Sequence, residues 1–180
     1  MIFMVVYLFC VIAALGLAAL AAWSDFRGMK IPNYIVVVVM AAFVLCFGAD
    51  YFAGTKIFGA LQTHLLAGGI TLIITFLMFS LKMIGGGDSK LVTAYSLWMG
   101  YKALSIFLFY MVSAGAVLGI IALFLKNKQL VKNPKPGGWI ARIQAGDNVV
   151  PYGIPIAIGA LAGFIKMGFL SPDKLALFLM

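Results

Sequence analysis

The chain has 180 residues, 64% of them hydrophobic and only 10% charged, with a formal net charge of +8 and a mean hydropathy of +1.13. Soluble domains are nearer half apolar and a quarter charged, so this composition excludes an ordinary soluble protein. It predicts an all-α, polytopic membrane helix bundle, one domain over 1–180 with about six transmembrane helices, and the positive charge then points to topology and anionic headgroups instead of nucleic acid.

The first apolar run, Met1 to Trp23, is long enough to span a bilayer at about 1.5 Å per residue. Ala19-Leu20-Ala21 resembles a signal-peptide cleavage site. No Lys or Arg precedes the run, however, and the basic residues follow it, so it reads as a retained helix. Ser24 to Asn33 is a polar turn closed by Pro32, which suits a helix start. The second span is Tyr34 to Phe52, followed by a turn holding Asp50, Gly54, Thr55 and Lys56. The third runs from Ile57 to Leu81 and contains His64, which has no His, Cys or Glu partner nearby and reads as a packed or interfacial histidine. Cys10 and Cys46 lie in apolar runs without a CxxC pair and read as packing residues.

Next comes Met83-Ile84-Gly85-Gly86-Gly87-Asp88-Ser89-Lys90-Leu91. An ionisable residue beside hydrocarbon is expensive to keep and is a functional candidate, and glycines let the backbone fold sharply or approach closely. The thirteen residues from Asp88 to Gly100 rise only about 20 Å as a helix, against a hydrocarbon core of about 30 Å. Either the segment does not cross, or its Asp88 end starts below the membrane surface in a watered cavity; failure to cross would move the basic 126–148 loop outside, against the positive-inside rule, so the segment is expected to cross. The fifth span is Ala103 to Leu125. A basic loop covers 126–148, in which Trp139-Ile140-Ala141-Arg142-Ile143 is placed on the bilayer surface. The sixth span is Pro151 to Leu170, and Ser171-Pro172-Asp173 looks like a final helix start.

With six spans, the turns at 24–33 and 82–90 share a side with the 126–148 loop. That side carries nine basic residues against four on the other, so it is expected to be cytoplasmic, with both termini extracytoplasmic. All five acidic residues are aspartates, and Asp25, Asp88 and Asp147 fall on this side. Asp25 follows the first span and Asp88 opens the fourth, so packing can bring the two together. Two carboxylates in one site cannot both ionise easily; one keeps its proton while the other is anionic, an arrangement suited to activating water. The bland reading is that each aspartate caps a helix, and it is preferred for Asp50 and Asp173.

Gly85-Gly86-Gly87-Asp88-Ser89-Lys90-Leu91 resembles the GxGD motif of type IV prepilin peptidases, aspartic proteases embedded in the membrane. Asp25 with Arg27 and Ile31-Pro32-Asn33 resembles that family's first catalytic segment, and Val150 to Ala157 is similar to the segment opening its last helix. These matches, in order, cover most of the chain. The resemblance implies cleavage of prepilin leader peptides at the cytoplasmic membrane face by Asp25 and Asp88, with no metal or organic cofactor. The implied partners are a prepilin with an apolar N-terminal helix, the lipid bilayer and pilus assembly components. It is nearest the short form associated with Flp (tight-adherence) pili. Larger relatives carry paired CxxC motifs and N-methylate the product; this sequence lacks those motifs, so methyltransferase activity is not expected. Gly85, Gly86 and Gly87 would open space for an extended substrate, and Pro151 and Tyr152 would shape the cavity wall. Lys90 is placed to tune the dyad, to bind a substrate carboxylate or to anchor at the surface. A proton-coupled transporter with Asp25 and Asp88 as relays is the alternative, but it predicts matching interrupted repeats, and no second glycine-aspartate break occurs.

Overall fold

A computed structural model describes residues 1–128, 131–134 and 136–179; Lys135 of the basic loop and Met180 of the tail lie outside the described residues. In chain order the helices are α1 (Ile2–Gly28), α2 (Asn33–Ala53), α3 (Leu61–Ser80), α4 (Gly86–Lys128), α5 (Trp139–Gln144), α6 (Gly153–Met167) and α7 (Pro172–Ala176), with no strand among the described residues. The protein is an all-helical membrane bundle. Four of its helices, α1 to α4, are long and apolar enough to cross a bilayer, and α6 is a shorter apolar helix of 15 residues.

The apolar run of α4 extends over 41 residues, from Gly86 to Lys126. Straight, it would measure about 60 Å, twice the hydrocarbon thickness. It is bent at Gly100, whose φ of 51° and ψ of −164° are non-helical and essentially reserved for glycine. The fourth and fifth expected spans are therefore the two arms of one bent helix. Gly86 begins at the same end of the bundle to which Lys126 returns: Lys126 bonds Asn148, and Asn148 lines one cavity with Asp88. A helix end leaves carbonyls without their usual donors. At the bend, Leu97 O lies 2.6 Å from Nδ1 of the buried His64, whose Nε2 is 3.1 Å from Phe58 O. His64 is thus a packed residue, and its work is to close the turn.

α6 lies in the fork of α4. Gly163 leaves room for Met99 of the first arm, and Gly159 for the Phe107 carbonyl of the second. Buried polar side chains reach backbone oxygens across helices: Tyr95 Oη donates to Ala14 O at 2.7 Å and Trp98 Nε1 to Val39 O at 3.1 Å. Large apolar side chains such as Ile73, Phe109 and Val112 face outward, as lipid contact requires.

Several sequence expectations shift. The polar residues after Trp23 continue α1, so Asp25 stands in its last turn and not in a loop. Ile57 and Phe58 lie before α3 and are buried as a loop. In the segment expected on the bilayer surface, the Trp139 and Ile143 side chains are covered by protein instead of lipid. Both are buried in the protein, and the Trp139 ring packs 5.8 Å from Phe26, because α1 supplies an apolar neighbour within reach. Ser171-Pro172-Asp173 does open a helix, with Ser171 at its N-cap.

Candidate active site

Asp25 is 5% exposed, and its Oδ2 accepts the Gly153 N–H at 2.8 Å. Gly153 opens α6, and its lack of a side chain is what admits this contact. A Cβ there would lie 2.9 Å from the Asp25 Cβ and 3.0 Å from Ala21 O. Asp88 stands in the first turn of α4, where a carboxylate suits the partial positive charge of the helix end. It is half-buried, and its Oδ2 accepts the Gly85 N–H at 3.2 Å. Each carboxylate is therefore held on one oxygen by a glycine amide.

Helix packing brings the two together. Both line a cavity of about 780 Å³ whose walls include Met29, Phe79, Lys82, Arg142, Asn148 and Tyr152. Both also line a smaller cavity of about 450 Å³ formed by Lys30 to Asn33 and Gly85 to Gly87. The two cavities share Asp25, Met29, Gly85 and Asp88, so the arrangement is a cleft with two lobes and a carboxylate pair where they meet.

The three glycines line the smaller lobe, and each also faces part of the chain where a side chain would project. A Cβ on Gly85 would meet the Asp88 carboxylate at 2.7 Å, one on Gly86 the Phe79 ring at 3.2 Å, and one on Gly87 the Ile31 Cβ at 3.2 Å. Lys90 Nζ donates to Asn33 Oδ1 at 3.1 Å, tying the start of α4 to the start of α2. Tyr152 lines the larger lobe, with its ring against Gly115 of the second arm of α4. Pro151 is buried, and its carbonyl accepts Ile154 N–H at 3.2 Å as the chain turns into α6. Asp147 pairs with Arg142 at 2.9 Å at the surface and lines a different cavity.

Sequence reasoning missed Gly153 as a donor, and it missed Met29, Phe79, Lys82, Arg142 and Asn148 as cavity walls. Gly153 lay within a quoted motif. Its bond to Asp25 spans 128 residues, so no local pattern carries it.

The type IV leader peptidase family model matches residues 3–120. The prepilin leader peptidase/N-methyltransferase of Bacillus subtilis (strain 168) is 26% identical over 162 residues, covering 84% of this chain and 62% of that protein. The chain thus spans less than two thirds of that relative's length. No solved structure matches. The family match runs from α1 through most of α4 and takes in both aspartates of the cleft, and by it the chain belongs to the type IV leader peptidase family.

Proposed function

We propose that this chain is an aspartic endopeptidase that removes leader peptides from prepilins at the cytoplasmic membrane face, with Asp25 and Asp88 as its paired acid and base. One observation carries the reading: two aspartates from different helices line one membrane-end cavity, each held on a single oxygen by a glycine amide. Family membership and the similarity to a prepilin leader peptidase support the same reaction.

In this mechanism the pair shares one proton. The ionised carboxylate takes a proton from a water molecule as the water oxygen attacks the scissile carbonyl carbon. The protonated partner supplies its proton to the reacting amide, and the C–N bond breaks as the amine leaves. The two lobes accommodate the chain on either side of the scissile bond, with the glycine-lined lobe and the Tyr152 wall as substrate contacts. The substrate in this reading is a prepilin of the Flp type whose apolar helix remains in the bilayer. Pilus assembly components are the further partners. The reading is confined to peptidase activity; the two cysteines are buried in α1 and α2 and form no CxxC motif.

Positive charge supports the orientation. The end bearing the cleft carries Arg27, Lys30, Lys82, Lys90 and the loop after α4, a charge bias that favours a cytoplasmic cleft and extracytoplasmic termini. Single cysteines at Gly28 and Pro136, in a background lacking Cys10 and Cys46, should resist an impermeant thiol reagent added to intact cells, whereas one at Gly54 should react. Labelling at Pro136 from outside reverses the assignment. The activity itself is tested by co-expression with candidate prepilins: leader removal should occur with this chain and vanish in Asp25→Asn and Asp88→Asn. Full processing by either variant removes that residue from the mechanism.

A further inference from the structure

Asn148, Val149 and Val150 form the segment that leads into α6, and space lies on both sides of it. They line the 780 Å³ active-site cavity and also a separate cavity of about 300 Å³, bounded on the α4 side by Gly119, Leu123 and Lys126. Packing holds a segment only through atoms in contact, and a void on each face forfeits that hold. Hydrogen bonds take its place. Lys126 Nζ donates to Gly146 O at 2.9 Å and to Asn148 Oδ1 at 2.7 Å. Trp139 Nε1 donates to Val149 O at 2.9 Å, while its ring packs on Phe26, the residue after Asp25. Four residues beyond Val149, the Gly153 N–H meets the Asp25 carboxylate.

We propose that Lys126 and Trp139 are positioning residues for Asp25: they brace the 146–153 segment, and the braced segment presents the Gly153 amide that fixes the carboxylate. Lys126 is also one of the basic residues that set topology. Charge alone would serve that purpose anywhere in the loop; the brace requires a donor at this point. The two roles therefore separate experimentally. The kinetic part of the proposal rests on the peptidase reading, and the structural part does not.

The test uses the full-length enzyme in lipid vesicles with a prepilin substrate, and compares Lys126→Gln, Lys126→Arg, Trp139→Phe and Lys132→Gln. Trp139→Phe keeps a ring against Phe26 and deletes the indole donor. Lys132→Gln removes the same charge from the same loop at an exposed position. Two quantities are read: kcat and KM, and hydrogen–deuterium exchange over 146–153. Lys126→Gln and Trp139→Phe should each lower kcat about 10-fold with KM changed less than about twofold, since one lost hydrogen bond shifts a carboxylate without removing substrate contacts. Exchange over 146–153 should rise in both while α1 to α3 stay protected. Lys126→Arg should recover most of kcat, and Lys132→Gln should match the parent. Unchanged exchange over 146–153 overturns the brace, as does an equal kcat loss in Lys132→Gln or a uniform rise in exchange across the bundle. If the parent cleaves no prepilin, the peptidase reading fails by itself, and exchange still decides the brace.

Discussion

Asp25 and Asp50 are both buried aspartates near the ends of apolar helices, 5% and 2% exposed, and they lie at opposite ends of the bundle. Asp50 is saturated. Its Oδ1 accepts Ile57 N–H at 2.8 Å and the Thr55 hydroxyl, and its Oδ2 accepts Phe58 N–H at 3.1 Å. Asp25 accepts one amide and borders two cavities, with a second carboxylate on the same space. A buried carboxylate whose acceptor positions are filled by its own chain is a fastener. One that is anchored on a single oxygen and opens into a cavity keeps capacity for a substrate and a proton. The charges nearby differ as well. Toward the Asp50 end, burial pushes the Lys174 ammonium pKa down, aided by Lys102 and opposed by Asp50.

The comparison breaks most sharply with isosteric changes in the cleft. Asp25→Asn or Asp88→Asn should lower prepilin cleavage by 10³-fold or more, about the scale of losing general acid–base catalysis. Protein yield and thermal stability in detergent should stay near the parent's. Gly153→Ala comes next. Its methyl would press on the Asp25 Cβ and Ala21 O, and a carboxylate moved by about 1 Å costs on the order of 100-fold. Both aspartates remain in that variant, so a normal rate per folded molecule would show that the amide contact is incidental. Gly87→Val sharpens the picture at the smaller lobe. The new side chain displaces Ile31 and the segment entering α2, and a drop of about 10-fold in specific activity is expected from the displaced wall. Asp50→Ala should act on the opposite quantity. Cleavage per folded molecule should change less than about twofold, while stability falls by about 2–4 kcal/mol as buried N–H groups lose their acceptor. Equal loss of activity in Asp50→Ala and Asp25→Asn would erase the distinction between fastener and working group.

Much of this was legible in the chain because hydropathy and charge spacing are local. Apolar runs of membrane length marked α1, α2 and α3, and the shortness of the 88–100 segment marked Gly100 as a boundary. The glycine run pointed to Asp88. Asp50 was read as a helix cap, and its actual work is different: it gathers the 55–58 loop beneath the end of α2. Composition could not show this, because the donors are backbone amides that every sequence possesses. The same limit hid Gly153, which contributes only an N–H. Trp139 and Ile143 presented an apolar face, and the sequence does not say whether lipid or α1 covers it. Contact with Phe26 decides that question.

The bend at Gly100 makes the first arm of α4 a measuring rod. Its far end is pinned where the Leu97 carbonyl meets the His64 ring, and its near end carries Asp88. The height and facing of that carboxylate are consequently set by a residue count, at about 1.5 Å and 100° per residue. Adding or removing one residue between Asp88 and Gly100 would swing the carboxylate by more than a quarter turn and away from Asp25. Side chains along this arm are free to drift within the limits of packing, but its length is not.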